Sequence, residues 1–364
     1  MRAILSGHAG LLVAGLLTFI LMGAGQSLYG PALPAFGRAF ALSTDAAGVL
    51  ISAHWVGAAG GIALMFVAAA HVRPRHVFLL MAAGTGLIAT EVGWAATLAG
   101  AVVYGVGYGC ATVIYNARVL VVFGRHGPAM LALLNAVFAI GAISAPLLFI
   151  LAGSAIGATW AGLAGLALLT ALVAGGGGAA APVAQTGHYR LRLPILAFGA
   201  LAIGLEACLI GLGPVALIAV GAGEAQAAQL LSLFFAGFLV SRMALVAFAS
   251  SVAPFILFIA ACSATSAALA LIAATGALWP FVAAGASSAL FFPAFYMTAV
   301  RQMGDHPRVS PTIIAAGLAG GILSPLVLAL VMARMGDAMI FTITAGASFA
   351  AAAAAFALRH RMAR

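Results

Sequence analysis

Lysine is absent from this sequence, and acids are nearly so. Among 364 residues there are fifteen Lys+Arg, all of them arginine, and six Asp+Glu, so only 6% are charged. A water-soluble domain carries about 25% charged residues because its surface faces water. So few charges cannot clothe a soluble surface, so most of what this chain exposes faces lipid. Cysteine is scarce too. Cys110, Cys208 and Cys262 stand singly in apolar runs with no Cys-x-x-Cys, which speaks against a disulfide framework or a zinc site. There is no HExxH, no GxSxG and no carboxylate pair at helical spacing, so neither an enzyme nor a bound cofactor is expected. The net charge of +9 is spread as single or paired arginines between apolar runs, without interleaved aromatics, which argues against nucleic-acid binding.

What is present is apolar: 65% of the residues are hydrophobic, and 45 are glycine. A bilayer core takes roughly 20 apolar residues per helix. The runs predict twelve spans, near 9–36, 46–70, 76–95, 97–121, 128–152, 156–177, 194–220, 226–249, 252–274, 277–300, 311–334 and 337–358. The opening run after Arg2 reads as the first of them rather than as a signal peptide, being too long for an h-region. Twelve spans put both termini on one side. With that side cytoplasmic, thirteen of the fifteen arginines lie there or near the cytoplasmic ends of spans, all but Arg38 and Arg334. That is the positive-inside bias, so a multi-pass protein of the cytoplasmic (inner) membrane is expected.

The chain also repeats itself. Gly124-Arg125-His126 through Gly141-Ala142-Ile143-Ser144-Ala145-Pro146-Leu147 has a counterpart in Gly304-Asp305-His306 through Gly320-Gly321-Ile322-Leu323-Ser324-Pro325-Leu326. Ala46-Ala47 likewise matches Ala227-Ala228. The shift is about 180 residues, half the chain, which predicts two parallel six-helix bundles, 1–177 and 194–364, joined by a Gly-rich cytoplasmic tether at 178–193. Such a repeat is a mark of secondary transporters.

Several motifs have a family likeness: Ala32-Leu33-Pro34-Ala35-Phe36 closing the first span, Gly107-Tyr108-Gly109-Cys110 in the fourth, Phe138-Ala139-Ile140-Gly141 in the fifth, Gly204-Leu205-Glu206 in the seventh, Ser232-Leu233-Phe234-Phe235-Ala236-Gly237 in the eighth and Phe292-Pro293 in the tenth. In these the chain resembles the major facilitator superfamily, and within it the fucose/glucose-type sugar symporters. The resemblance implies an all-α integral membrane fold of twelve transmembrane helices and transport by alternating access. It has departures. The basic connector between spans two and three is reduced to His71-Val72-Arg73-Pro74-Arg75, with no acid. The family's acids in helices one and four align with Gly30 and Thr112, and a glutamine of its fifth helix with Asn135.

Polar groups placed within spans are costly and therefore informative. Glu206 in span seven is the principal proton-coupling candidate, with His54 and Glu91 behind it, although Glu91 near the outer end of span three is also read as a snorkelling carboxylate. Arg242 in span eight is the potential ion-pair partner of Glu206, and Arg73 and Arg75 are gating candidates. Tyr104, Tyr108, Thr112 and Asn116 recur every four residues, on one helical face. Aromatics with hydroxyls and amides suit a sugar or similar ring, and interhelical packing is the competing reading. Gln26, Tyr29, His54, Trp55, Asn135, Phe292 and Tyr296 complete the expected substrate lining, by depth and fold analogy. The expected partners are a small polar or amphipathic solute, protons and the lipid bilayer, for a monomeric protein. Two alternatives stand beside this: metal or metallophore movement, suggested by twelve Met, eight His and three Cys, and a non-transporting assembly factor or sensor of the same fold.

Overall fold

A computed structural model describes residues 9–69, 71–174, 188–248, 252–304, 306 and 308–362. Its regular elements are helices: α1 Ala9–Phe40, α2 Thr44–Ala68, α3 Pro74–Ala89, α4 Trp94–Phe123, α5 Gly127–Leu151, α6 Ile156–Val173, α7 Leu193–Gly211, α8 Gly213–Ala219, α9 Glu224–Phe248, α10 Pro254–Thr275, α11 Pro280–Ser288, α12 Phe291–Met303, α13 Val309–Met335 and α14 Met339–Met362. Eleven apolar segments among the described residues are long enough to cross a bilayer, counting Pro280–Met303 as one; α3, at sixteen residues, is shorter. The chain is a multi-pass membrane protein. In lipid, backbone groups find partners only inside the helix, which is why such apolar runs fold this way.

Three spans differ from expectation. The third ends at Ala89 rather than near 95, because Glu91 takes a left-handed backbone (φ +52) and turns the chain into α4. The seventh is broken at Leu212, between α7 and α8. Pro214 has no N–H to donate to the carbonyl one turn back, so the ladder is interrupted there. The tenth is broken at Ala289-Leu290, one turn ahead of Pro293, for the same reason.

The chain forms two compact units. The first holds Met1–Leu42 and Val49–Pro182, and within it α1 packs on α5, and α3 on both α4 and α6. The second holds Ser43–Gly48 and Val183–Arg364, with α7 on α13, α10 on α14, and α9 on α11. Much of the expected tether, with Gln185, lies outside the described residues, as does Asp305.

Glycines set the closest crossings. A Cβ on Gly57 or Gly61 of α2 would strike the backbone of α4 at Val102 or Val106, and a Cβ on Gly105 or Gly109 of α4 would strike α2 at His54 or Ala58. Both helices thus present a Gly-xxx-Gly face, which lets membrane helices touch backbone to backbone. The second unit repeats these contacts at the shift seen in the sequence. Gly237 of α9 lies against the carbonyl of Val282 in α11, as Gly57 does against Val102. Gly285 lies against Phe234 as Gly105 does against His54, and Gly320 against Ala200 as Gly141 does against Ile20. The duplication written in the sequence is therefore also a duplication of crossings.

Candidate functional site

In the first unit the crossing of α2 and α4 brings polar aromatic side chains together. His54 is buried, 1% exposed, and is ringed by four aromatics: Tyr108 at 5.0 Å between centroids, Tyr29 at 5.2 Å, Trp55 at 5.3 Å and Tyr104 at 5.4 Å. Gly105 makes this possible, since any side chain there would push the His54 backbone away. The Tyr29 hydroxyl lies 3.5 Å from His54 Nδ1, while Nε2 is buried with no hydrogen-bond partner. Such a nitrogen loses its hydration without compensation, an arrangement that costs roughly 1–3 kcal/mol.

Each tyrosine hydroxyl has its own task. Tyr104 donates to the Leu21 carbonyl across 2.9 Å, its ring end resting on Gly25. Tyr108 donates to Gln26 Oε1 across 2.9 Å. An amide whose oxygen is engaged in this way offers its N–H groups as donors. Gln26, Trp55, Tyr108, Thr112 and Asn116 are partly exposed, whereas Tyr29, His54 and Tyr104 stand buried behind them. Thr112 spends its hydroxyl on the Tyr108 carbonyl of its own helix, at 2.8 Å. Asn116 Oδ1 is buried without a partner. The arrangement is a rim of amide, phenol and indole over a buried tyrosine–histidine layer.

The other expected residues of this unit are exposed, Asn135 and Glu91 with bonds of their own. Asn135 is exposed, and its amide donates to the Leu131 carbonyl of its own helix at 2.9 Å. Glu91 is exposed on the connector after α3, where its Oε1 accepts the Gly157 N–H at 2.9 Å. That satisfies an orphan donor in the first turn of α6, a helix cap. Arg73 and Arg75 are exposed at the start of α3. The sequence reading missed Trp160, buried against Tyr29 at 6.3 Å and Phe36 at 5.3 Å. It is a lone tryptophan in an apolar span, with nothing local to signal its partners.

The second unit holds the remaining candidates. Glu206 is half-buried in α7, and its Oε2 has no hydrogen-bond partner. Arg242 of α9 is the charged group whose field reaches it. The same guanidinium lies 4.4 Å over the Phe238 ring and donates from Nε to the Ala289 carbonyl at 3.2 Å. Phe292 and Tyr296 pack with tilted rings at 5.5 Å on the edge of the apolar core around Phe258, Phe291 and Phe295, and Tyr296 donates to Ser310 Oγ at 2.8 Å. The sequence shift sets Glu206 in its repeat where Gln26 stands in the first, and Phe292 and Tyr296 where Thr112 and Asn116 stand.

No protein-family model matches the chain, and no curated protein matches it. Solved structures do. A nucleoside transporter, NupG, in the form of a point mutant, superposes with a TM-score of 0.77 at 15% identity, covering 96% of this chain and 99% of that one. A D-xylose-proton symporter superposes with a TM-score of 0.77 at 12% identity, covering 95% and 97%. End to end, the chain has the fold of membrane transporters, in keeping with the major facilitator resemblance of its sequence.

Proposed function

We propose that this chain is a secondary active transporter of a small polar solute carrying a sugar-like ring. Twelve spans in two six-helix repeats, 1–177 and 194–364, work by alternating access in the cytoplasmic membrane, with both termini and the 178–193 tether inside. The observation that carries the reading is the Gln26–Tyr108 pair beside Trp55, over buried His54. Amide donors and phenol oxygens beside an indole face suit a ring bearing hydroxyls, which needs in-plane hydrogen bonds and tolerates stacking. Two proteins of similar fold are a nucleoside transporter and a D-xylose-proton symporter, whose solutes share a pentose.

Protons supply the driving force in this reading, and Glu206 carries them. It is a half-buried carboxylate within a span, with an oxygen left unsatisfied, so proton uptake relieves a cost that no hydrogen bond offsets. Unsatisfied polar atoms on His54, Asn116 and Glu206 are hard to account for in an idle bundle, which favours transport over a sensor or assembly role. Among the described residues no three His, Cys, Asp or Glu side chains gather as a metal site, so the metal reading has no support of its own.

Uptake of labelled pentoses, hexoses and nucleosides into proteoliposomes, with and without an inward proton gradient, tests the proposal. Accumulation of a ring-bearing solute under the gradient, lost in Glu206→Gln while exchange persists, is the expected result. Accumulation that survives in Glu206→Gln removes Glu206 from coupling and turns attention to His54. Failure of every ring-bearing solute to enter overturns the substrate class.

A further inference from the structure

The segment leading into α7 reads His188-Tyr189-Arg190-Leu191-Arg192-Leu193, in which histidine and arginines alternate with tyrosine and leucines. It is pinned to the connector between α12 and α13. Arg190 N–H donates to the Met303 carbonyl at 2.9 Å, and His306 N–H donates to the His188 carbonyl at 3.2 Å. The Tyr189 hydroxyl lies 3.2 Å from Thr312 Oγ1, and its ring packs edge-on to His306 at 6.0 Å. Gly304 makes the contact possible: its φ is +102, and a Cβ there would meet the His188 carbonyl. A segment held by bonds at both ends of the clip has a defined surface.

That surface is two-natured. Leu193 is 67% exposed, Leu191 52% and Tyr189 39%, while Arg190 and Arg192 are exposed between them. Arg301 in the last turn of α12 and Arg308 just before α13 are exposed as well. Within the sequence of these two stretches, 188–193 and 301–308, one acid occurs, Asp305, which is outside the described residues. The segment runs directly into Leu193–Gly211, a helix long and apolar enough to cross a bilayer.

From this we infer that the clip formed by residues 188–193 and the α12–α13 connector is a docking surface for anionic phospholipid headgroups. The guanidinium groups of Arg190, Arg192, Arg301 and Arg308 take the phosphates, bidentately where geometry allows. Leu191 and Leu193 enter the interfacial layer beside them, contacts that a free phosphate in solution does not make. The inference needs only that the chain sits in a bilayer and is independent of which solute it carries.

The full chain in nanodiscs of mixed phosphatidylcholine and phosphatidylglycerol, with retained lipid counted by native mass spectrometry, provides the test. The wild-type chain is expected to retain phosphatidylglycerol over phosphatidylcholine. The double variant Arg190→Gln/Arg192→Gln is expected to lose that preference by about fivefold per arginine, the factor for a basic residue at an anionic leaflet. Leu191→Asn weakens retention through the apolar arm alone. Arg359→Gln, which removes an arginine of α14, leaves the preference intact. Equal retention in the double variant and the wild type overturns the assignment. So does an equal loss in Arg359→Gln, which would make the effect one of net charge. Displacement of the lipid by inorganic phosphate overturns it too, leaving a site for soluble anions.

Discussion

Arg242 donates its Nε–H to the carbonyl of Ala289, which lies one turn back from Pro293. A proline within a membrane span frees the carbonyl one turn back, and a carbonyl free in lipid must find another partner. Here the partner is a cation from the neighbouring α9, so the break between α11 and α12 and the position of Arg242 are one feature. Arg242→Ala is expected to lower stability by about 1.5–3 kcal/mol, the range for a hydrogen bond to a charged group. In a Pro293→Ala background, where an N–H is restored, the same substitution costs less. A double-mutant cycle on thermal unfolding in detergent measures the difference; strict additivity would separate the two residues.

In the proposed site, the Tyr108–Gln26 pair holds the amide that would meet the solute. Tyr108→Phe removes one hydrogen bond without changing the ring, and is expected to weaken solute affinity by about two- to tenfold, corresponding to roughly 0.5–1.5 kcal/mol. Tyr104→Phe loses its bond to the Leu21 carbonyl, behind the rim, and is expected to lower stability more than affinity. Equilibrium binding beside thermal shift separates the two effects.

Glycine substitutions sort by what a methyl group meets. Gly105→Ala drives a Cβ into the His54 carbonyl, and Gly285→Ala drives one to 2.5 Å from that of Phe234. Both are expected to destabilise their unit, since backbone cannot yield as a side chain tip does. Gly86→Ala in α3 meets nothing within 4 Å and is expected to raise stability by up to about 1 kcal/mol through helix propensity. Melting temperatures of the three variants check the order.

Asp337, on the connector between α13 and α14, gives a pH dependence whose sign follows from its surroundings. Burial pushes its carboxyl above the ordinary aspartate range, the Thr44 hydroxyl bonded to it at 3.2 Å pulls the other way, and the charge of Asp45 adds to the rise. With the folded value raised, protonation favours the folded contact. Stability is therefore fullest below the ordinary carboxyl range and declines as pH rises through the raised value. Asp337→Asn is expected to flatten this part of the pH–stability curve. A profile with the same slope in the variant would assign the dependence to another group.

The apolar runs made the spans legible, because length and hydrophobicity alone decide what crosses a bilayer. The breaks were not legible in the same way. Pro31, Pro34, Pro146 and Pro325 sit inside continuous helices, whereas Pro214 and Pro293 follow interruptions, and nothing in the local sequence separates the two groups. What separates Pro293 is the arginine on another helix that takes up the freed carbonyl. The candidate site divides likewise. The four-residue spacing of Tyr104 and Tyr108 was visible, but their acceptors on α1, Leu21 and Gln26, lie more than eighty positions away in the chain. Glu91 and Asn135 were singled out as rare polar residues in or near spans. Rarity cannot distinguish a helix cap or a bond to the same helix from a group facing solute.

The paired glycine crossings bear on ancestry. A half-length chain with the α2–α4 and α1–α5 contacts would already have possessed the backbone frame of each unit, and two copies of it would have been chemically identical. The side chains that the frame does not use differ: the first half carries Gln26 and His54, while the second holds Glu206 and Phe234 at the corresponding positions. Two parallel copies already face the two sides of the membrane differently; what identical halves would lack is a chemical difference from each other. Different side chains on one frame supply that difference, an amide in the first half and a carboxylate in the second.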